Sequence, residues 1–204
     1  MLKDLYRGKL VRLTAEDPEI LAQAMLRWNR DSEYIRLLDF EQARMWSMKK
    51  IKEWFEKDLE KDKPEEYFFQ IRTLDEGTST FEPDGENNGL LKSVLIGFVG
   101  LFGEFINHGD AWVGIGLGER EYWGKGYGTD AMRVILRYAF TELNLWRVTL
   151  GAFEYNPRAI RSYEKAGFSH EGRARKNVLR DGRRWDTLFM GILREEWEKR
   201  DDYD

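Results

Sequence analysis

The chain contains no cysteine and only two histidines, His108 and His170. Without cysteine there is no disulfide framework, thiol nucleophile or iron–sulfur cluster. With two histidines there are too few ligands for a structural zinc site, and no metal is expected. Neither histidine lies near a nucleophile-elbow pattern, which argues against a serine triad. No apolar run approaches the roughly eighteen residues of a membrane span, so no membrane partner is expected. Residues 1–12 carry charges throughout and lack the apolar stretch of a signal peptide, and a cytoplasmic location is expected. Positive charge is not in excess: 33 Lys and Arg stand against 37 Asp and Glu, a net charge of −4. A general nucleic-acid binder is usually basic. A mildly acidic surface suits amine substrates.

The 204 residues, 42% apolar and 34% charged, suffice for one domain with a sizeable core. No repeat or linker divides 1–204, although 75–92, rich in Gly, Thr, Ser, Pro, Asp and Asn, reads as a long mobile loop. Lys9 to Leu13 alternates as a strand. Asp17-Pro18 then opens a helix with an apolar stripe at Ile20, Leu21, Ala24, Met25 and Trp28. A second helix is expected from Met48 to Lys61, with Met48, Ile51, Phe55 and Leu59 inward. Strands follow at Tyr67–Thr73, Leu91–Phe105 and Asp110–Leu117. In the last, Ala111, Val113, Ile115 and Leu117 share one face, while Gly114 and Gly116 leave the other bare. The strongest helical stripe is Met132, Ile135, Leu136, Ala139, Phe140 and Leu143, within Thr129–Leu143. Then come a strand at Arg147–Phe153 and a helix from Asn156-Pro157 to Ala166-Gly167. A hairpin about Asp181-Gly182 and a short polar helix close the chain. The order implies an α/β (α+β type) fold with a mixed sheet.

Between a strand and the best helix lies Trp123-Gly124-Lys125-Gly126-Tyr127-Gly128-Thr129. Its alternating glycines allow close backbone approach. The N–H groups of the next helix's first turn, with the helix dipole, favour an anion and above all a diphosphate. The loop is neither a P-loop nor a dinucleotide fingerprint, because no Gly-Lys-Ser/Thr ends it and the glycine spacing differs. About thirty residues on stands Asn156-Pro157-Arg158-Ala159, followed by Ser162-Tyr163-Glu164-Lys165-Ala166-Gly167-Phe168.

Together the two segments resemble the GNAT acetyltransferase superfamily. The first is similar to its Arg/Gln-x-x-Gly-x-Gly/Ala motif, with Gly126 and Gly128 in the glycine places. The second is similar to its Asn-x-x-Ala-x-x-x-Tyr-Glu-Lys-x-Gly-Phe motif. Trp28-Asn29-Arg30-Asp31 resembles the branch that acetylates ribosomal-protein N-termini and polyamines. The likeness extends back through Ala111–Leu117, forward through the Asp181-Gly182 hairpin, and covers about two-thirds of the chain. There are two departures. Trp123 stands where the family has Arg or Gln, and Ala111-Trp112-Val113-Gly114 stands where the branch often has Ala-Glu-x-Gly with a glutamate base.

The resemblance implies a mostly antiparallel sheet with helices on both faces and a cleft where Asp110–Leu117 and Arg147–Phe153 splay apart. Acetyl-CoA would lie there as co-substrate. Backbone groups of Ile115, Gly116 and Leu117 would pair with its pantetheine arm. The loop of Trp123, Gly124, Lys125, Gly126, Tyr127, Gly128 and Thr129 would hold its pyrophosphate, and Asn156 its arm. Tyr163 is the implied general acid. For the base, Glu104, Asp110 and the intervening His108 are candidates, beside a solvent-linked base. The basic hairpin (Arg173, Arg175, Lys176, Arg180, Arg183 and Arg184) is expected to be a solvated face, its rival role being a contact to an acidic partner or the CoA 3′-phosphate. Trp28, Trp46, Trp54 and Trp112 are acceptor-pocket candidates, with Trp28 and Trp54 expected in the core. The implied acceptor is a small-molecule amine or a protein N-terminus, and the implied assembly a homodimer. A catalytically silent CoA-binding or interaction module is the alternative.

Overall fold

The computed structural model describes residues 4–59, 66–74, 93–103 and 105–200. The expected loop at 75–92 and the base candidate Glu104 lie outside them. In chain order the elements are β1 (Val11–Thr14), α1 (Pro18–Trp28), α2 (Ser32–Leu38), α3 (Met48–Leu59), β2 (Glu66–Thr73) and β3 (Leu95–Phe102). There follow β4 (Asp110–Leu117), α4 (Tyr127–Arg137), β5 (Arg147–Phe153), α5 (Pro157–Ala166), β6 (Ser169–Arg180), β7 (Arg183–Leu193) and α6 (Arg194–Glu198).

The strands form one seven-stranded sheet in the order β1-β2-β3-β4-β5-β7-β6. Every pairing is antiparallel except β4 with β5. Alternation on β4 divides the layers. Ala111 and Val113 are buried in the main core with Ala131, Met132, Ile135 and Leu136 of α4. Each large apolar side chain sunk there stabilises the fold by about 1.5–3 kcal/mol relative to exposure. On the opposite face Gly116 looks toward Leu38 of α2 and Phe98 of β3. Near them α1 and α2 build a smaller core from Leu21, Ala24, Trp28 and Tyr34.

Several expectations hold to the residue. Asp17 accepts the Glu19 N–H and caps α1, which begins with Pro18. Asp181 and Gly182 have φ of 51° and 68°, as a two-residue primed turn requires. Gly167 ends α5 at φ 105°.

Others need correction. The stripe read as one helix over Thr129–Leu143 starts at Tyr127 and passes into a π-turn at Tyr138–Glu142, where the Leu143 N–H reaches back to Tyr138 O at 3.2 Å. The short α2 carries no long apolar period and forms because Asp31 accepts the N–H groups of Glu33 and Tyr34. Trp28 is buried at 2% exposure, but Trp54, expected in the core, is 38% exposed and set edge-on to Trp46.

Candidate active site

The sheet is open in its middle. β4 and β5 pair only from Asp110–Arg147 to Trp112–Thr149. Beyond that point β4 stays on β3 as far as Leu117, and β5 stays on β7 as far as Phe153. A cleft of about 890 Å³ adjoins the free end of β4, where Ile115, Gly116 and Leu117 line it. It is large enough for an extended small ligand. Trp123, Gly124, Gly126, Gly128, Thr129, Asn156 and Tyr163 also line it. The side chains of Lys125 and Tyr127 are not part of the lining: Lys125 is exposed, and Tyr127 packs edge-on against Tyr122.

The loop leaves an unfinished helix. Asp17, Asp31, Ser47 and Asn156 place side-chain acceptors at the starts of α1, α2, α3 and α5. α4 starts on Gly126 at φ 94° and has no side-chain cap. Gly124, at φ 72°, has nothing within 4 Å of the space a side chain would fill. The first-turn N–H groups are therefore open to an anion, and the helix dipole adds to their pull.

The cleft lining is rich in cations. Lys9, Arg133, Arg158, Arg161, Lys165 and Arg200 line the cleft. The carboxylate on the lining, Asp130, is consumed internally. It accepts the backbone N–H groups of Leu10 at 2.7 Å, Val11 at 3.0 Å and Lys9 at 3.1 Å. Arg137 holds the same N-terminal arm through the carbonyls of Asp4, Leu5 and Arg7. This clamp brings Lys9 and Leu10 to the rim. Neither they nor Arg158 stood out in the sequence, because the apposition of 9–11 with 130 is a tertiary fact. The basic hairpin lies elsewhere: Arg180 donates to the carbonyls of Asp39, Phe40 and Glu41, and Arg173 pairs with Asp186.

The other motif residues are tied down. Trp123 donates its indole N–H to Leu117 O at 2.7 Å. Thr129 and Ser162 share a hydrogen bond of 2.8 Å that joins α4 to α5. The Asn156 carbonyl oxygen caps α5 by accepting the Ala159 N–H, which leaves its amide N–H groups as the donating end. Tyr163 is half-buried, with its ring edge-on to Phe168. Burial pushes its phenol up to about 12, so it stays protonated.

Of the base candidates, Asp110 and His108 are not drawn in. Asp110 lies at the opposite end of β4 from Leu117 and lines a separate cavity of about 260 Å³ with Gly103, Phe105 and Trp112. Its Oδ1 is buried and has no hydrogen-bond partner among the described residues. His108 sits in a 3₁₀ turn with its ring against Phe105. Trp112 is 37% exposed and set edge-on to Phe189. No group of three or more His, Asp or Glu among the described residues is arranged to hold a metal, and no helix among them is long and apolar enough to cross a membrane.

An unpaired strand edge and an uncapped helix start on one cation-lined cleft fit a long ligand with an extended arm and phosphates at one end. Residues 7–169 match the family model described as Acetyltransferase (GNAT) domain. The chain belongs to the GNAT acetyltransferase family. It is 37% identical over 153 residues to a Bacillus subtilis protein named "Probable N-acetyltransferase YjcK", covering 74% of this chain and 73% of that one. It is 31% identical over 146 residues to the spermidine N(1)-acetyltransferase of Escherichia coli, covering 71% and 74%. The fold is shared with a Vibrio cholerae spermidine N-acetyltransferase solved with CoA and spermine, at a TM-score of 0.74 and 24% identity over 93% of this chain and 98% of that one. As a GNAT enzyme the protein transfers an acetyl group from acetyl-CoA to an amine.

Proposed function

We propose that this GNAT enzyme acetylates the primary amine of a small molecule or a protein N-terminus by direct attack, with acetyl-CoA seated in the β4–β5 cleft. The observation that carries the reading is the early end of β4–β5 pairing at Trp112–Thr149, next to a cleft that runs to the uncapped start of α4. Acetyl-CoA supplies the thioester. The free edge of Ile115, Gly116 and Leu117 aligns the pantetheine arm as an added strand would. The backbone N–H groups of Gly124 to Thr129 bind the pyrophosphate. The Asn156 amide donates to the arm. With no cysteine in the chain, no acetyl group passes through a protein thiol.

Tyr163 assists the departing sulfur. Burial holds its phenol above the ordinary tyrosine value, and so well above a thiol of about 8.5, which makes full proton transfer to the departing thiolate uphill. Tyr163 therefore acts as a hydrogen-bond donor to sulfur, and the attacking amine's own proton completes the thiol. The extra proton of the ammonium form is a different one and leaves through water before attack, because the only carboxylate on the described cleft lining, Asp130, is already taken by three N–H groups. A hydrogen bond to a charged group contributes about 1.5–3 kcal/mol. Tyr163→Phe should thus lower kcat by about 10- to 100-fold with little change in KM, and unchanged turnover would remove Tyr163 from the mechanism.

Thiol release over a panel of polyamines, aminoglycosides, amino acids and peptide N-termini tests the whole reading. Release with at least one amine class is expected. Silence across the panel, or no rise in melting temperature with acetyl-CoA, would refute it. We place the enzyme in the cytoplasm by family analogy. Family analogy supports a homodimer, which sedimentation can check.

A further inference from the structure

We propose that Arg158, propped on the face of Trp123, is the guanidinium that grips a phosphoryl group of the acyl donor; this deepens the acetyl-CoA reading and rests on it. Arg158 lies in the first turn of α5, with its guanidinium carbon 4.0 Å from the centre of the Trp123 ring. That indole is a fixed platform. Its N–H is spent on Leu117 O, and on the ring Arg120 lies 5.2 Å from the centroid, itself engaged with Asp31 and Glu33.

Three nearby arginines have protein partners, and Arg161, one turn along α5, is exposed to water. Arg120 has two carboxylates, Arg133 reaches Lys165 O, and Arg137 reaches three carbonyls. Arg158 has no hydrogen bond or ion pair among the described residues, although it is half-buried and lines the cleft. Burial lowers its proton affinity, the mark of a cation partly stripped of water. Five N–H donors held flat in such a place, without acceptors, are matched by an anion that brings its own oxygens.

Position selects the anion. The Thr129–Ser162 bond sets the first turn of α4 beside α5, and Trp123 leads directly into the uncapped loop. The positive end of the α4 dipole and the guanidinium therefore act on one small region, where phosphate is the fitting ligand. Coenzyme A offers two sources of that chemistry, its diphosphate and its 3′-phosphate.

The test is calorimetric titration of wild type, Arg158→Ala and Arg158→Lys with CoA, 3′-dephospho-CoA and pantetheine. Arg158→Ala should bind CoA about 10- to 100-fold more weakly and pantetheine as wild type does. Arg158→Lys should fall between, because a lysine keeps the charge but not the flat stacking and the fork. A loss that persists with 3′-dephospho-CoA assigns the contact to the diphosphate, and a loss that vanishes assigns it to the 3′-phosphate. Trp123→Ala should reproduce the defect. Arg158→Ala binding CoA within about twofold of wild type, or losing pantetheine equally, would overturn the assignment. Wild type failing to bind CoA would instead defeat the cleft reading beneath it.

Discussion

The Asp130 clamp can be taken apart with two substitutions. Asp130→Ala removes the acceptor of three backbone N–H groups. Val11 is fully buried, so its N–H would be stranded at about 1–3 kcal/mol. Lys9 and Leu10 are exposed enough for water to replace part of what they lose, leaving about 1 kcal/mol each. The sum is about 3–5 kcal/mol, or a fall in Tm of about 10 °C for a chain of this size. Gly8→Ala attacks the same contact from the other side. Its Cβ would sit 2.7 Å from the Asp130 carboxyl carbon and 2.9 Å from Oδ1, forcing the clamp open at about 1–3 kcal/mol. The two should not add. Without the carboxylate the new methyl group has room, so the double variant should be more stable than the sum of the singles by about 1 kcal/mol or more. Urea melts followed by tryptophan fluorescence measure all three. A cost below about 1 kcal/mol for Asp130→Ala, or strict additivity, would refute the clamp. Because the clamp carries Lys9 and Leu10 to the rim, Asp130→Ala should also weaken CoA binding.

Two other sites give sharp outcomes. Glu16 takes both arms of Arg72, at 2.6 and 2.8 Å, with little exposure on either side, and this pairing holds its carboxyl below the usual glutamate range. The folded affinity for a proton is the lower one. Stability from the pair is therefore present above the ordinary glutamate value, near 4.5, and lost as pH falls through the depressed one. Acid titration of urea midpoints should show that loss, and Glu16→Gln should flatten it. Gly116→Ala would bring a Cβ to 2.8 Å from a Leu38 methyl and 2.9 Å from the Phe98 ring. It should cost about 1–3 kcal/mol and raise KM by shifting the end of α2 at the cleft wall, as steady-state kinetics would show.

What the sequence disclosed follows from the range of the signals. Turn chemistry at Asp181-Gly182, the proline-led starts of α1 and α5 and the bare face of β4 are local, and each was legible. The glycine loop was legible as an open helix start, which α4 has at Gly126, and the two motifs together pointed to the family. Long-range appositions were not legible. Asp130 reads as an ordinary first-turn acid, yet its partners lie about 120 residues away in the arm. Arg158 reads as one more helix cation until Trp123 is beneath it. The π-turn escaped because Ala139 and Phe140 keep the helical stripe while the ladder shifts by one residue.

An ordinary open sheet has two outer margins where a stray chain can add itself, and natural folds guard them. The early end of β4–β5 pairing gives this sheet two more, set inside the molecule and facing each other. Geometry shelters them. An intruding peptide would run into the closed Trp112–Thr149 end and would carry side chains on both faces, against Tyr163 on one and the wall of α2 on the other. A slender unbranched arm has no such side chains. On the proposed seating of acetyl-CoA, the wedge would work as a steric filter, admitting the shape of the acyl carrier while keeping a tempting piece of unpaired backbone out of reach of neighbouring proteins.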